Sequence, residues 1–552
     1  MAAPERAEIL GYGQEGGIHI IQNLPYALKH NNYRFTKNHE KPWGHEDFGY
    51  TKADLVPVKM HLDLPQSEET VLAVQEWLRA MRKGVMPKGA TQGVEIEGAV
   101  YKKGTTDLAL AYADANQNMH PELMESTLET ATGTLQDGRY PNTPVSVAHE
   151  ISIALLEAHE QAQLEGNVVV HTSVPEGGDI FNNRNTDIPY LAAFAPRVLA
   201  ETVEHGGEIP REVKEYYAKM GIPDVLGYLK SSGILNWPVN ALHVHNGVPM
   251  IGEYADTRSA FAMAQIRNTE MAKIMSFMLY NTAYCYGTDM GTKDGRSILR
   301  RLLSTAHGGE SPNSAEEYVH TAVKALEEGE IHSLARHPKH SQHDRTRLRM
   351  DGVTMESIDG AMNPDLRLVL GWTYINQVMN VIALDALNEV KGDESKVLGY
   401  LKNSVGPLMN GVPAMGEKSS YKHDLIFNSN GYEGKASWMT KTYADSIKDI
   451  TKLFDSYAKK YPAIHTYVKI ANHILSRVVQ KSEGTTLEEY LGIESGTYNA
   501  NGKNKGIVTD AKKGLSIQQL IDIQSKATRL QAEALSQVND ESGLLAFFGI
   551  PV

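Results

Sequence analysis

The chain has almost no cysteine. Cys285 is the one thiol among 552 residues, which excludes a disulfide within the chain and suits a reducing compartment. It falls in an apolar stretch of helical periodicity, where a thiol behaves as a small buried hydrophobe rather than a nucleophile. Long hydrophobic runs are also missing, and none approaches the roughly 20 residues of a membrane-spanning helix. Glu5, Arg6 and Glu8 stand where a signal peptide would carry its apolar core. The expectation is a cytoplasmic protein with no membrane partner. A basic excess is lacking too: 54 Lys and Arg face 67 Asp and Glu, for a net charge of -13. That balance argues against a nucleic-acid partner, so an anionic ligand needs local arginines or metal ions. Internal repeats and low-complexity tracts are absent from the sequence.

What is present suffices for a large core. A hydrophobic content of 41% with 22% charged residues is ordinary for a globular protein, and the length calls for a large domain with additions. The sequence divides into an N-terminal extension over 1–90, a central region over 91–390 and a largely helical region over 391–552. Within the extension, Ser67 is placed to cap a helix carrying Val71, Val74, Leu78 and Met81 on one side.

The central region opens on the stretch that carries the chemistry. Gly93-Val94-Glu95-Ile96-Glu97 alternates, so as a strand it turns Glu95 and Glu97 to one face and Val94 and Ile96 to the other. Two like carboxylates side by side repel, and a hard divalent cation offsets that repulsion. A second strand from the run His120 to Gly133 would bring Glu129 alongside. Val147, Ile151, Leu155 and Ala158 recur at helical spacing, Gly166 stops that helix, and Val168 to Val170 form a buried strand. Strands and helices in this order describe an α+β or α/β sheet covered by helices.

Three further segments bear candidate ligands. Leu242-His243-Val244-His245-Asn246 alternates, placing His243 and His245 on one strand face where either could meet a metal or a phosphate oxygen. Asp256 or Thr257 caps a long helix whose Met271, Ile274, Met275 and Met278 form a core stripe; after its glycine-rich end come Arg296, Arg300 and Arg301. Guanidinium groups there suit an anion, since they bridge phosphate or carboxylate oxygens in pairs. Arg345, Arg347 and Arg349 precede a strand over 352–359 that carries Glu356, and Asn363-Pro364-Asp365 then opens an apolar helix. Near the C-terminus, the apolar tail Leu544 to Ile550 must dock on its own chain or on a partner subunit, which leaves a homo-oligomer open.

The blocks Gly93-Val94-Glu95-Ile96-Glu97, Pro121-Glu122-Leu123 through Glu129-Thr130-Ala131-Thr132-Gly133, His243-Val244-His245-Asn246-Gly247 and Val353-Thr354-Met355-Glu356 occur in an order that resembles the glutamate–cysteine ligase and carboxylate–amine ligase family. The resemblance covers about 91–390. It implies a glutamine-synthetase-like catalytic fold, a curved and mainly antiparallel sheet whose concave face holds ATP as co-substrate with two or three Mg2+ ions, Mn2+ being an alternative. By the same resemblance Glu95, one of His243 or His245, and Glu356 ligate one ion, while Glu97, Glu122 and Glu129 ligate another, with Glu125 behind them. Glu95, Glu97, Arg296, Arg300 and Arg349 are then the catalytic candidates. Arg296, Arg300, Arg301, Arg345, Arg347 and Arg349 are the nucleotide-binding ones. The implied reaction joins an amino acid's carboxylate, such as the γ-carboxylate of glutamate, to an amine such as cysteine, with small-molecule amino acid and amine substrates as partners. Where the family commonly places an arginine two residues after the strand glutamate, Glu356 is followed by Ser357 and Ile358, so the preceding arginines must supply that charge. Two other readings stand beside it. One is a metal-dependent amidohydrolase using His243, His245 and Asp359. The other is a non-catalytic nucleotide-binding member of the ligase fold.

Overall fold

Alternating burial along one long strand sets the architecture. In β1 (Gln92–Lys102) Val94 and Ile96 are fully buried, whereas Glu95 and Glu97 stand on the opposite face. The structure is a computed structural model and describes residues 65–87, 89–109, 119–121, 127–132, 143–172, 240–252, 254–269, 271–272, 275, 346–348, 354–405, 447–479 and 515–551. Its other strands are β2 (Met119–Pro121), β3 (Thr127–Ala131), β4 (Asn167–Val170), β5 (Ala241–Gly247), β6 (Met250–Ile251), β7 (Tyr254–Ala255), β8 (Thr346–Leu348) and β9 (Thr354–Ala361). Six of them run in the order β2-β3-β1-β5-β9-β8, and every pairing is antiparallel. β5 covers Gln92 to Ile96 of β1, and β4 takes up the remainder from Ala99 to Lys102.

Helices pack around the sheet, with the main hydrophobic cluster on its Val94 face. They are α1 (Ser67–Arg82), α2 (Pro144–Leu164), α3 (Thr257–Gln265), α4 (Leu366–Glu389), α5 (Val397–Val405), α6 (447–460), α7 (His465–Val479), α8 (Ile517–Ser536) and α9 (Glu541–Phe548). The molecule is thus α+β. α4 lies at the centre, with every residue from Leu366 to Leu387 buried. A helix apolar on all sides must be surrounded, and one hydrophobic cluster joins α4 to Val94, Ile96, Leu242, Val244 and Met355 of the sheet and to α1, α7 and α9. Each such aliphatic side chain contributes roughly 1.5–3 kcal/mol on burial. No described helix is long and apolar enough to cross a membrane.

Local chemistry explains most boundaries. Thr143 accepts from Ser146 N at 3.1 Å and Pro144 opens α2, while Gly166 at φ +73° supplies the left-handed turn before β4. Asp365 caps α4 by accepting from Arg367 N at 3.1 Å and holds the Arg367 guanidinium with two further bonds of 2.7 Å. Gly247 is required by space. A Cβ there would lie 1.9 Å from Gly89 O, because the chain before β1 crosses against the end of the histidine-bearing strand and Gly247 N donates to Thr91 O at 2.7 Å.

Two local expectations change. The cap of α1 is Gln66 rather than Ser67, since Glu69 reaches back to Gln66 N at 2.9 Å and completes a reciprocal cap one residue earlier. The long helix expected after Asp256 is interrupted: α3 ends at Gln265 and a 3-10 turn spans Ile266–Asn268. Thr269 then donates to Ile266 O at 2.6 Å and accepts from Ala272 N at 3.3 Å, closing one segment and starting the next. The C-terminal tail docks on its own chain: Leu544 and Phe548 of α9 are fully buried in the main cluster, with Phe548 against Tyr374.

Candidate metal centre

Register alone gathers the charged residues. Across β1 and β3 Glu97 faces Glu129, and across β3 and β2 Glu129 faces His120. Glu95 faces His243 on β5, His245 faces Glu356 on β9, and Glu356 faces Arg347 on β8. Directly opposed residues of an antiparallel pair share a face. Glu95, Glu97, Glu129, His243, His245 and Glu356, expected from separate parts of the sequence, therefore lie on the single sheet face turned away from α4.

Side-chain geometry tightens the cluster. His243 Nδ1 lies 3.0 Å from Glu95 Oε2 and 3.5 Å from Glu356 Oε1, and its Nε2 lies 3.8 Å from Glu97 Oε1. His245 Nε2 lies 3.1 Å from Glu95 Oε1. Glu97 also accepts from Ala241 N at 2.6 Å, which ties its carboxylate to the start of β5. Glu356 is fully buried and His243 is 1% exposed. A β-bulge between Leu242 and Val244 sets His243 against two residues of β9 instead of one, which breaks the strict alternation between the strands at the cluster.

These residues form two overlapping donor sets. Ligand atoms of Glu95, His245 and Glu356 lie within 4.8 Å of one another, and so do those of Glu95, Glu129 and His243. Two carboxylates at that separation repel by roughly 3–4 kcal/mol at an effective dielectric near 20, and buried charges demand a counter-charge. The nitrogens show where it could sit. Nε2 of His243 and Nε2 of His245 are both buried, and neither makes a hydrogen bond among the described residues. With Nδ1–H of His243 donating to Glu95, Nε2 keeps its lone pair toward Glu97, the orientation of a carboxylate-anchored metal-binding histidine. Carboxylate oxygens with imidazole nitrogens fit a divalent cation in either set.

Other expected site residues stand differently. Arg347 is placed by its backbone opposite Glu356 at the sheet edge, and Asp359 lies in the bulged part of β9. Glu122, Glu125, Arg296, Arg300, Arg301, Arg345 and Arg349 lie outside the described residues. Sequence reasoning did not assign His120, whose backbone register puts it in the row of Glu97 and Glu129. Its signal was a place nine residues before Glu129 in the same block, which becomes informative only once the β2–β3 pairing is known.

No protein-family model matches the chain, and no curated protein matches it in sequence. Among solved structures, it is similar to a bifunctional glutathione synthetase from Pasteurella multocida at 11% identity with a TM-score of 0.41. The match covers 88% of this chain and 58% of that one. At that level of likeness it carries no argument about activity.

Proposed function

We propose that this chain is an ATP- and Mg2+-dependent carboxylate–amine ligase with a glutamine-synthetase-like sheet, joining an amino acid's carboxylate, such as the γ-carboxylate of glutamate, to cysteine or another amine. What supports the reading is one observation: carboxylates and imidazoles from β1, β3, β5 and β9 meet on one face of an antiparallel sheet, in donor sets suited to divalent ions. Glu95, His245 and Glu356 would hold one ion, and Glu97, Glu129 and His243, with Glu122, another. Bound there, Mg2+ would supply charge neutralisation for the triphosphate and for the charge that develops as its γ-phosphoryl group moves.

The chemistry needs no protein nucleophile. A carboxylate oxygen attacks the γ-phosphorus, ADP departs, and the acyl phosphate is then attacked by an amine with release of inorganic phosphate. The protein holds the reacting anions together and keeps its own carboxylates fixed, as Ala241 N does for Glu97. Arg347 beside Glu356, with Arg345, Arg349, Arg296, Arg300 and Arg301, is assigned to the phosphate oxygens. The amidohydrolase alternative calls for repeated parallel βα units, whereas the described strands pair antiparallel throughout.

The test is ADP release from purified protein with ATP, Mg2+ and glutamate, with and without a panel of amines that includes cysteine. Release that depends on both carboxylate and amine is the expected result, and Glu97→Gln should lower it about 100-fold or more while far-UV circular dichroism is unchanged. Amide cleavage without ATP would point to the hydrolase. Nucleotide binding with no turnover for any amine would point to a non-catalytic member.

A further inference from the structure

We infer that the helical side of the molecule carries a phosphate site where the start of α4 meets the end of α7. There the Arg477 guanidinium donates to the oxyanion, and Nε2 of His473 accepts from the protonated oxygen that distinguishes phosphate from sulfate. The site is independent of the proposed ligase chemistry, because α4 and α7 belong to the cluster on the inner face of the sheet and the acidic residues stand on the outer face. α4 and α7 run antiparallel, with Gly371 against Ile474 and Tyr374 against Tyr467. That brings Arg367, in the first turn of α4, toward Arg477 in the last turn of α7. Asp365 is taken up by Arg367: its Oδ1 accepts from Nε at 2.7 Å and from the backbone N at 3.1 Å, and its Oδ2 accepts from Nη2 at 2.7 Å. Among the described residues Asp365 is also the carboxylate that acts on Arg477, and burial with the Arg367 guanidinium nearby lowers the Arg477 pKa to about 10. Two guanidiniums against one carboxylate leave a positive excess that an anion offsets.

The polar atoms at this junction select the anion. His473 and Arg477 stand four residues apart on α7 and so share a face. Nη1 of Arg477 and Nε2 of His473 are both buried, and neither makes a hydrogen bond among the described residues. The other ring nitrogen of His473 donates to Phe548 O at the end of α9, and with its pKa lowered to about 4 by burial the ring is neutral near pH 7. Its Nε2 therefore keeps a lone pair. A guanidinium N–H beside an imidazole lone pair calls for a ligand that accepts from one and donates to the other. Inorganic phosphate does both, since it still carries a proton near neutral pH, whereas sulfate and carboxylates there only accept. Water also does both, but it leaves the charge excess where it was.

Metal-stripped full-length protein without ATP would be titrated with inorganic phosphate, and separately with sulfate, by isothermal calorimetry at about pH 7. Without cations the acidic sheet face repels both anions, so the heat of binding reports the helical side. The expected result is one phosphate bound, with sulfate at least about 10-fold weaker, and Arg477→Gln should weaken phosphate by about 10-fold or more. His473→Asn keeps a side-chain N–H for Phe548 O and lacks Nε2, so it should bind the two anions equally; circular dichroism checks both variants. No phosphate bound, sulfate bound as tightly as phosphate, unchanged phosphate affinity in folded Arg477→Gln, or an unchanged preference in folded His473→Asn would each overturn the inference. Should neither variant fold, the comparison of the two anions on the unaltered protein decides by itself. Phosphate bound in this way by a protein that releases no ADP would retain the site and remove the ligase reading, and amine-dependent ADP release without such binding would do the reverse.

Discussion

At the scale of single residues, burial decides which groups titrate. Burial lowers the pKa of His473 to about 4, with the nearby Arg477 and Arg367 guanidiniums pushing the same way. Burial likewise holds His159 well below the ordinary histidine value of 6.5, helped by His171 beside it. The folded protein therefore refuses protons that the unfolded chain accepts near pH 6.5. Stability is complete above that pH and declines as pH falls toward 4. Urea midpoints measured in chelator from about pH 7 to 4.5 should fall, and His473→Gln should fall less steeply; equal slopes would contradict this assignment. Some of this scale was legible in the sequence. The alternation of Glu95 with Val94 and of His243 with Val244 announced two polar strand faces, because strand geometry fixes side-chain direction two residues at a time. The sequence could not choose between His243 and His245. That choice depends on the register that sets His243 opposite Glu95 and His245 opposite Glu356, and on the bulge between Leu242 and Val244. Both histidines belong to the cluster.

Among elements, the contact between α4 and α7 shows how close packing limits substitution. A Cβ on Gly371 would stand 2.8 Å from Ile474 Cγ1 and 2.9 Å from Cγ2, whereas one on Gly399 in α5 would meet nothing within 4 Å. Gly371→Ala should destabilise by about 1–3 kcal/mol through overpacking. Gly399→Ala, exposed within a helix, should stabilise by about 0.4–1 kcal/mol. Opposite shifts in thermal midpoint are the expected outcome, and shifts of the same sign would contradict the packing. The start of α4 followed from sequence because its cap and apolar run coincide, Asp365 accepting from Arg367 N, and α2 followed from its apolar spacing with Gly166 after its end. The break after α3 was hidden. The 3-10 turn Ile266–Asn268 holds no glycine or proline and leads into the stripe that begins at Met271, and the interruption is made by Thr269 and by buried Arg267, which donates to Met263 O and to Asn376 of α4.

Across the whole molecule, the sheet divides two environments. Its inner face joins the large hydrophobic cluster around α4, and its outer face concentrates carboxylates in a chain already at net charge -13. The inner face was readable from apolar periodicity, and so was the burial of the C-terminal tail. Strand order was not, because β5 pairs with β1 and β9 with β5 from distant parts of the sequence, Glu95 opposite His243 and His245 opposite Glu356, and no local signal encodes such pairings. Cations that bind only the folded face stabilise it by mass action, by about 2.7 kcal/mol at 100 times the dissociation constant. Their position is the most direct test of the function proposed here. Crystals grown with Mn2+ and an ATP analogue, measured at the manganese absorption edge, are expected to show anomalous peaks on the outer sheet face, one among Glu95, His245 and Glu356 and one among Glu95, Glu129 and His243. Peaks elsewhere, or none at those residues at full occupancy of the soaking ion, would contradict it.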